Sequence, residues 1–190
     1  MIRNIILAGV GGQGILLAAK VISQAAIAAG LEVTTNEIHG MAQRGGSVIA
    51  QVRYGKGISS PLILEGTADV LASLEMIEAI RYAHYLSKDG LAVVSAQKLV
   101  PVTVSSGKAV YPEDVESRLR SIFPNLILED FAAEARRRNE SRLVNTLMLG
   151  ALSRGLDLSR EHWLSGLKAC MKPHLFEMNA AAFLAARGEA

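Results

Sequence analysis

The sequence predicts an α/β domain with a mostly parallel sheet, and three successive segments carry that prediction. The unbroken apolar run Ile5-Ile6-Leu7-Ala8 is typical of a central parallel strand that is covered on both faces. Residues 13–29 are rich in alanine and leucine, which favours a helix, and Gly30 follows where a C-terminal glycine ends one. The β-branched run from Leu31 to Glu37 predicts a second strand. A strand–helix–strand unit of this kind is expected to be parallel and right-handed.

The remaining elements are predicted from the length, periodicity and turn residues of each segment. Further strands are expected at residues 47–54, 58–64, 69–74, 91–95 and 126–128. A β-hairpin excursion is expected where residues 102–104 and 109–111 flank the turn at 105–108. Helices are expected at residues 75–86 (closed by 87–90), from 112 to before Pro124, and near 131–138, 141–154, 159–170 and 174–187. No repeat or linker interrupts the sequence, which predicts a single domain over residues 1–190 with a helical C-terminal third.

The composition is that of a soluble globular protein and argues against several functional classes. Half of the 190 residues are apolar and a fifth are charged, unlike a disordered chain. The net charge of +2 comes without a basic stripe, so no nucleic-acid partner is expected. Cys170 is the only cysteine, which excludes an internal disulfide and a four-cysteine iron–sulfur site and fits a reducing compartment. No signal-peptide core or membrane span is expected, so the predicted location is cytoplasmic.

The first candidate site is the first glycine loop, Gly9-Val10-Gly11-Gly12-Gln13-Gly14. A Gly-x-Gly-x-x-Gly sequence between a strand and a helix is the dinucleotide-binding arrangement. In that arrangement Gly9 permits a tight turn, Gly11 a close backbone approach and Gly14 tight contact between helix and strand. Free amides at the helix start can hold a phosphate or a carboxylate. Two interpretations stay open, namely an anion or cofactor site and glycines that only permit the turn.

The dinucleotide interpretation also needs an acidic residue that binds the ribose. This residue is expected at the end of the second strand. Glu37 lies there but is somewhat late in the sequence, whereas Glu32 has a more usual spacing but lies at the beginning of the strand.

The second glycine loop, His39-Gly40-Met41-Ala42-Gln43-Arg44-Gly45-Gly46-Ser47, follows the second strand and is less generic. A loop with few apolar residues gains little by packing, so its side chains usually face a ligand or a partner. Arg44 is suited to pair with a phosphate or carboxylate, Gln43 to orient a carbonyl or amide, and Met41 to make an adaptable apolar contact. His39 taken alone is more often a hydrogen-bonding partner of the backbone than a catalyst. Two such loops at the ends of neighbouring strands are where an open α/β sheet binds a ligand or a partner.

Catalytic motifs are otherwise missing from the sequence. There is no Gly-x-Ser-x-Gly elbow and no His-Glu-x-x-His, and Ile15 stands where a phosphate-binding loop needs lysine. His84, His162 and His174 lie in different predicted helices without metal-ligand spacing. Cys170 has no obvious base beside it, so a buried thiol is its expected state. The residue types favour binding and positioning, and we assign no catalytic residue and no metal ligand.

At its two glycine loops the sequence resembles the gamma component of 2-oxoacid:ferredoxin oxidoreductases, most closely the small (beta) subunits of the indolepyruvate enzymes. The likeness extends to Ala83-His84-Tyr85-Leu86, Tyr111-Pro112-Glu113-Asp114 and Val144-Asn145-Thr146. It spans about residues 2–155, and the paired loops are far more specific than either loop alone. The resemblance implies a single Rossmann-like domain of the pyruvate/ketoisovalerate oxidoreductase gamma type.

The resemblance also implies a function. Enzymes of this family decarboxylate a 2-oxoacid on thiamine diphosphate, pass electrons through iron–sulfur clusters to ferredoxin, and transfer the acyl group to coenzyme A. This chain would be their non-redox subunit, inactive alone and without a tightly bound cofactor. Thiamine diphosphate, Mg and 4Fe-4S clusters would lie on a larger partner subunit, and an aryl pyruvate such as indolepyruvate would be the substrate.

By the same resemblance, coenzyme A contacts the interface that the two subunits share. The first loop would present Gly11, Gly12, Gln13 and Gly14 to the partner or to the coenzyme A phosphates. The second loop would present His39, Met41, Gln43 and Arg44 at the same face.

Two other interpretations stay open at this point. A stand-alone dinucleotide-binding module, or a reductase component, predicts that the isolated chain binds NAD or a flavin nucleotide. A homo-oligomeric scaffold predicts that the helical C-terminal third forms a dimer, which is compatible with the subunit role.

Overall fold

The computed structural model of the protein describes residues 1–39, 45–99 and 110–189. Within these residues six strands form one sheet: β1 (Arg3–Val10), β2 (Glu32–His39), β3 (Ser47–Gly55), β4 (Ala68–Ser73), β5 (Leu86–Ser95) and β6 (Leu126–Glu129). Their spatial order is β2-β3-β1-β4-β5-β6. Strands β1, β4, β5 and β6 are parallel, whereas β3 is antiparallel to both β1 and β2. The predicted α/β class with a mostly parallel sheet is confirmed.

Helices follow most strands and fill the C-terminal third of the chain. They are α1 (Ile15–Ala28), α2 (Met76–Arg81), α3 (Val115–Ile122), α4 (Phe131–Arg137), α5 (Val144–Leu152), α6 (Arg160–Cys170) and α7 (Pro173–Arg187). The end of α1 is as predicted, because Gly30 has a φ of +72°. The Gly30 N–H donates to Ile27 O and the Leu31 N–H donates to Ala26 O, which is the paired hydrogen bonding of a Schellman motif.

Alternate residues of the central strands face two separate apolar layers. On one face, Ile5 and Leu7 pack with α1 and with the C-terminal helices, where Trp163 is the largest buried side chain. On the other face, Ile6 packs in a layer that includes Met76 of α2 and Leu119 of α3. Cover on both faces explains why the β1 sequence is continuously apolar.

Strand β3 lies between β1 and β2, an insertion that the strand–helix–strand prediction does not contain. Strands β1 and β2 run in the same direction, as expected, but each pairs with β3 and not with the other. The connection at residues 40–46 is shorter than the dozen or so residues that a parallel crossover needs, so β3 has to return antiparallel. The second glycine loop therefore connects the two strands of a β-hairpin. The other hairpin, predicted around residues 105–108, lies outside the described residues.

The strand expected at residues 58–64 is absent from this described segment, and that prediction is wrong. Pro61 has no N–H to donate to a strand ladder. Side chains of β3 hold the segment in place of a ladder: Gln51 Oε1 accepts from the Ile63 N–H at 2.8 Å, and Arg53 donates to Ser60 O at 2.6 Å.

The helix expected over residues 75–86 is also wrong in its extent. Helix α2 ends at Arg81, a 3-10 turn follows, and Leu86 already begins β5. Residues 87–90, predicted as the turn after the helix, form an irregularity inside β5. From the pair Ala68–Leu86 to the next pair, Val70–Leu91, the numbering increases by two residues in β4 and by five in β5. Pairing with β4 thus overrides the helical pattern of this stretch.

A charged cluster ties the loop before α6 to the sheet. The Tyr54 hydroxyl donates to Asp157 Oδ1 at 2.8 Å, and Arg3 Nε donates to Asp157 Oδ2 at 3.2 Å. Arg3 also pairs with Asp69 at 3.1 Å. Burial by itself would raise the pKa of Asp157, but the hydrogen bonds from Tyr54 and Arg3 together outweigh it and lower that pKa.

We expect Asp157→Asn to lower the free energy of unfolding near pH 7 by about 0.5–1 kcal/mol, as for other half-exposed ion pairs. A carboxyl group whose pKa is lowered on folding stabilises the fold above its unfolded pKa and loses that contribution as the pH falls through its folded pKa. The difference between wild type and variant should therefore shrink below about pH 4. Urea denaturation at neutral and acidic pH measures it, with the exposed Asp89→Asn as the control. A difference that does not change with pH would contradict this account.

Candidate functional site

The two glycine loops meet through their backbones at the carboxyl end of β1. The antiparallel β1–β3 ladder ends with Val10 opposite Ser47, and the next register position continues into the loops. There the Gly11 N–H donates to Gly46 O at 2.8 Å, and the Gly45 N–H donates to Gly11 O at 3.5 Å. The two loops are therefore adjacent in space, joined at Gly11 and Gly46, which are 35 residues apart in sequence.

Two glycines of the first loop adopt backbone conformations that other residues rarely adopt. Gly12 has a φ of +102° and Gly14, at the start of α1, has a φ of +85°. A Cβ on Gly14 would lie 2.7 Å from Asn145 Nδ2, the same atom that donates to Gly14 O at 2.7 Å. A Cβ on Gly12 would meet nothing within 4 Å. Gly14 is thus held closely by α5, whereas Gly12 faces open space.

The side chain of Gln13 spans the gap between β1 and β4. Its Oε1 accepts from the Val10 N–H at 2.7 Å, and its Nε2 donates to Leu74 O at 2.8 Å. Nε2 also lies 3.3 Å from Gln97 Oε1. Helices α1 and α2 leave β1 and β4 toward opposite faces of the sheet, so this gap is the crevice in which open α/β sheets bind ligands. The Gln13 amide is engaged within the chain at that crevice.

The acidic residues considered for a ribose do not lie beside the first loop. Glu32 is opposite Gly55 at the far end of β2, and it accepts from the Gly57 and Ile58 N–H groups at 3.0 and 3.1 Å. Glu37 is exposed on β2, which β3 separates from β1 by two strand spacings, about 10 Å. In the dinucleotide-binding fold the second strand is the neighbour of the first. The geometry therefore does not favour a stand-alone dinucleotide site.

Two buried glutamates lie at the start of α2, one of them in contact with Ser47 of the second loop, and the sequence analysis did not single them out. Glu75 is 2% exposed and Glu78 is 6% exposed. The Ser47 hydroxyl hydrogen-bonds to Glu78 Oε2 and lies 2.9 Å from the Tyr82 hydroxyl. The Tyr111 hydroxyl donates to Glu75 Oε1 at 2.7 Å. Burial and this hydrogen bond raise the pKa of Tyr111, so its phenol stays protonated as a donor.

The sequence around Glu75 and Glu78 contains a local pattern that points to these glutamates, whereas no local pattern points to Asn145. Glu75 Oε2 accepts from the Glu78 N–H at 3.0 Å and so caps α2. An acceptor followed three residues later by Glu resembles a capping box, which a search for helix starts could have found. Asn145 contacts Gly14 across 131 residues, so only tertiary packing reveals it.

The structure describes some of the site residues that were predicted in the second glycine loop and not others. His39 is the last residue of β2 and lies opposite Val48, while Gly40, Met41, Gln43 and Arg44 are outside the described residues. Cys170, predicted to be buried, is only half-buried, and desolvation raises the pKa of its thiol. In the described ranges, no group of three or more His, Cys, Asp or Glu residues could hold a metal ion. Nor does any helix in those ranges have the length and apolar character to cross a membrane.

Comparison with known proteins identifies the family. The family model described as pyruvate ferredoxin/flavodoxin oxidoreductase matches residues 4–189. The chain belongs to this family. A relative named indolepyruvate oxidoreductase subunit IorB, from Pyrococcus horikoshii, is 40% identical over 188 residues, which cover 95% of this chain and 92% of that protein. The subunit of the same name from Archaeoglobus fulgidus is 39% identical over 183 residues, covering 94% and 90%.

Solved structures share the fold of this pyruvate ferredoxin/flavodoxin oxidoreductase family member. The gamma subunit of a keto/oxoacid ferredoxin oxidoreductase from Geobacter sulfurreducens has a TM-score of 0.73 at 20% identity and covers 100% of this chain and 96% of that chain. The 2-oxoglutarate:ferredoxin oxidoreductase from Magnetococcus marinus has a TM-score of 0.72 at 21% identity, and the match takes 31% of that longer chain. The predicted resemblance is confirmed, and the chain is a subunit of a 2-oxoacid:ferredoxin oxidoreductase.

For this family member we expect Gln13→Ala to lower the free energy of unfolding by about 1–3 kcal/mol, because the Val10 N–H and Leu74 O both lose their partner. Amide exchange at Val10 should also become faster. Chemical denaturation and hydrogen exchange measure the two effects. Gln24→Ala, on the helix α1 that follows the loop, is the control, since the Gln24 side chain has no hydrogen bond within the described residues. Equal unfolding energies for the two variants would show that the Gln13 bridge contributes nothing.

Proposed function

We propose that this chain is the non-redox subunit of an indolepyruvate-type 2-oxoacid:ferredoxin oxidoreductase. It packs beside the thiamine diphosphate site of a larger subunit and helps that subunit to convert an aryl 2-oxoacid oxidatively to an acyl-CoA. The observation that carries the proposal is the backbone pairing of Gly11 with Gly46, which makes the two glycine loops one surface at the carboxyl edge of the sheet. Relatives that are 39–40% identical and named indolepyruvate oxidoreductase subunits support the substrate class.

The first glycine loop suits contact with polar atoms of another molecule. The open space beside Gly12 lets such a molecule approach the backbone closely. Amides at the start of α1 attract negative charge, and coenzyme A carries phosphates that match this chemistry. From the second loop we propose His39, Met41, Gln43 and Arg44 as further contacts, with Arg44 pairing with a phosphate.

Apolar groups beside the first loop support a partner at this edge. Leu16 and Leu17 follow the loop directly on α1 and are 45% and 40% exposed. Leu17 also lines a cleft of about 320 Å³ together with Met171, Leu175 and Met178. Exposed apolar surface of this kind marks protein interfaces more often than free surface.

The proposal assigns the redox and thiamine chemistry to the larger subunit. With one cysteine in the sequence, this chain cannot supply the four thiolates of a 4Fe-4S cluster. Thiamine diphosphate, its Mg ion and the clusters then belong to the partner, from which ferredoxin receives the electrons. The chain works in the cytoplasm, holds no tightly bound cofactor and is inactive alone. A homodimer through the C-terminal helices is compatible with this role.

Reconstitution tests the proposal. The larger thiamine-binding subunit is purified with and without this chain, and reduction of a low-potential dye is followed with indolepyruvate and coenzyme A. We expect activity only when both proteins are present, because each lacks what the other supplies. Phenylpyruvate and an aliphatic 2-oxoacid, run in parallel, define the substrate class.

Two arginine variants distinguish the loss of the whole subunit from the loss of its proposed contact with coenzyme A or the larger subunit. The Arg44→Ala variant should assemble with the larger subunit more weakly or bind coenzyme A more weakly. Arg120 is an exposed arginine on α3, and the Arg120→Ala variant should behave as wild type. Full activity of the larger subunit alone, or failure of the two proteins to associate, would overturn the subunit proposal.

A further inference from the structure

Glu78 is a nearly buried carboxylate beside the second glycine loop. Its Oε2 accepts from the Ser47 hydroxyl, and its Oε1 accepts from Arg81 Nε at 3.1 Å. The Arg81 side chain is 56% exposed, so no buried cation neutralises Glu78 in the described residues. A buried carboxylate is destabilising unless its contacts offset the lost hydration. The hydrogen bonds from Ser47 and Arg81 offset this lost hydration, so the Glu78 side chain is stable only in the position that makes them.

The hydrogen bonds among Tyr82, Ser47 and Glu78 all run in one direction from donor to acceptor. A carboxylate only accepts, so Ser47 donates its hydroxyl proton to Glu78. The Ser47 oxygen then remains as an acceptor for the Tyr82 O–H at 2.9 Å. The order from Tyr82 through Ser47 to Glu78 leaves the Ser47 hydroxyl one orientation.

Ser47 passes this constraint on to both loops. It begins β3 opposite Val10, directly after Gly46, whose carbonyl accepts from the Gly11 N–H. Glu78 is itself held, because its N–H donates to Glu75 at the start of α2. Helix α2 is thereby connected to the point where the two glycine loops join.

We propose that Glu78 is a positioning residue for the junction of the two glycine loops, where Gly11 pairs with Gly46, and acts through Ser47. The inference rests on the proposed function, because it takes the loops to contact the larger subunit or coenzyme A. An amide replaces the carboxylate only at a cost, because the Ser47 hydroxyl has to reverse its hydrogen bond or Arg81 loses its acceptor, and the charge that pairs with Arg81 is lost in either case. A glutamine at position 78 would turn an N–H toward Ser47 or Arg81, and both of these groups donate to Glu78 in the wild type.

The test uses the complex reconstituted with the larger subunit and compares Glu78→Gln, Ser47→Ala and Ser47→Thr. For the first two variants we expect either the apparent KM for coenzyme A or the chain concentration at half-maximal activity to rise about tenfold, which corresponds to one charged hydrogen bond. The kcat at saturation should stay within about twofold, since binding and not the chemical step is affected. Ser47→Thr keeps the hydroxyl and should recover to within about threefold of wild type. Glu116→Gln, an exposed carboxylate in the first turn of α3, is the matched control.

Hydrogen exchange on the full chain provides a second readout that does not need the partner. In Glu78→Gln, peptides over residues 9–14 and 45–48 should exchange faster, while peptides over 126–137 stay unchanged. Wild-type kinetic constants in Glu78→Gln, or a Ser47→Thr variant as defective as Ser47→Ala, would overturn the proposal. Faster exchange spread evenly over the sheet would overturn it as well. A larger subunit that is active without this chain would overturn the proposed function instead, and the exchange result would still decide the role of Glu78.

Discussion

The hydrogen bond from the Gly11 N–H to Gly46 O is the contact on which the candidate site depends. It extends the β1–β3 ladder beyond its last strand pair and so makes two separate loops one surface. That extension requires β3 to lie next to β1, which the short connection between β2 and β3 makes possible.

Side chains from three directions fix the position of this backbone contact. Gln13 bridges β1 and β4, Asn145 of α5 holds the carbonyl of Gly14, and Glu78 of α2 holds Ser47. Each of these groups is used inside the chain. Among the residues that the structure describes, Gly12 and the exposed Leu16 and Leu17 remain available to another molecule at this edge. This division between internal anchors and an outer surface is what the proposed role, a subunit that packs beside the site of another, requires.

The sequence predicts the parts of this arrangement that depend on neighbouring residues. The apolar run of β1 and the helix α1 with its terminal Gly30 are local signals, and the structure confirms both elements. In the glycine pattern between them Gly12 and Gly14 have a positive φ, whereas Gly9, predicted at a tight turn, is paired with Val48 inside β1. The place of β3 between β1 and β2 is not local, because it follows from pairing across the sheet. The same holds for residues 87–90, which form an irregularity of β5 between two residues paired with β4 and not the predicted turn. Asn145 and Gly14 meet only after the C-terminal helices have packed.

The most direct test of the account is site-specific photo-crosslinking from the two ends of α1 in the reconstituted complex. A photoreactive residue replaces Leu16, beside the glycine loops, or Ile27, which is 53% exposed at the other end of the same helix. The account predicts a crosslink to the larger subunit from position 16 and none from position 27. A crosslink from position 27 alone would contradict it, because the partner would then pack on the edge of the sheet opposite the glycine loops.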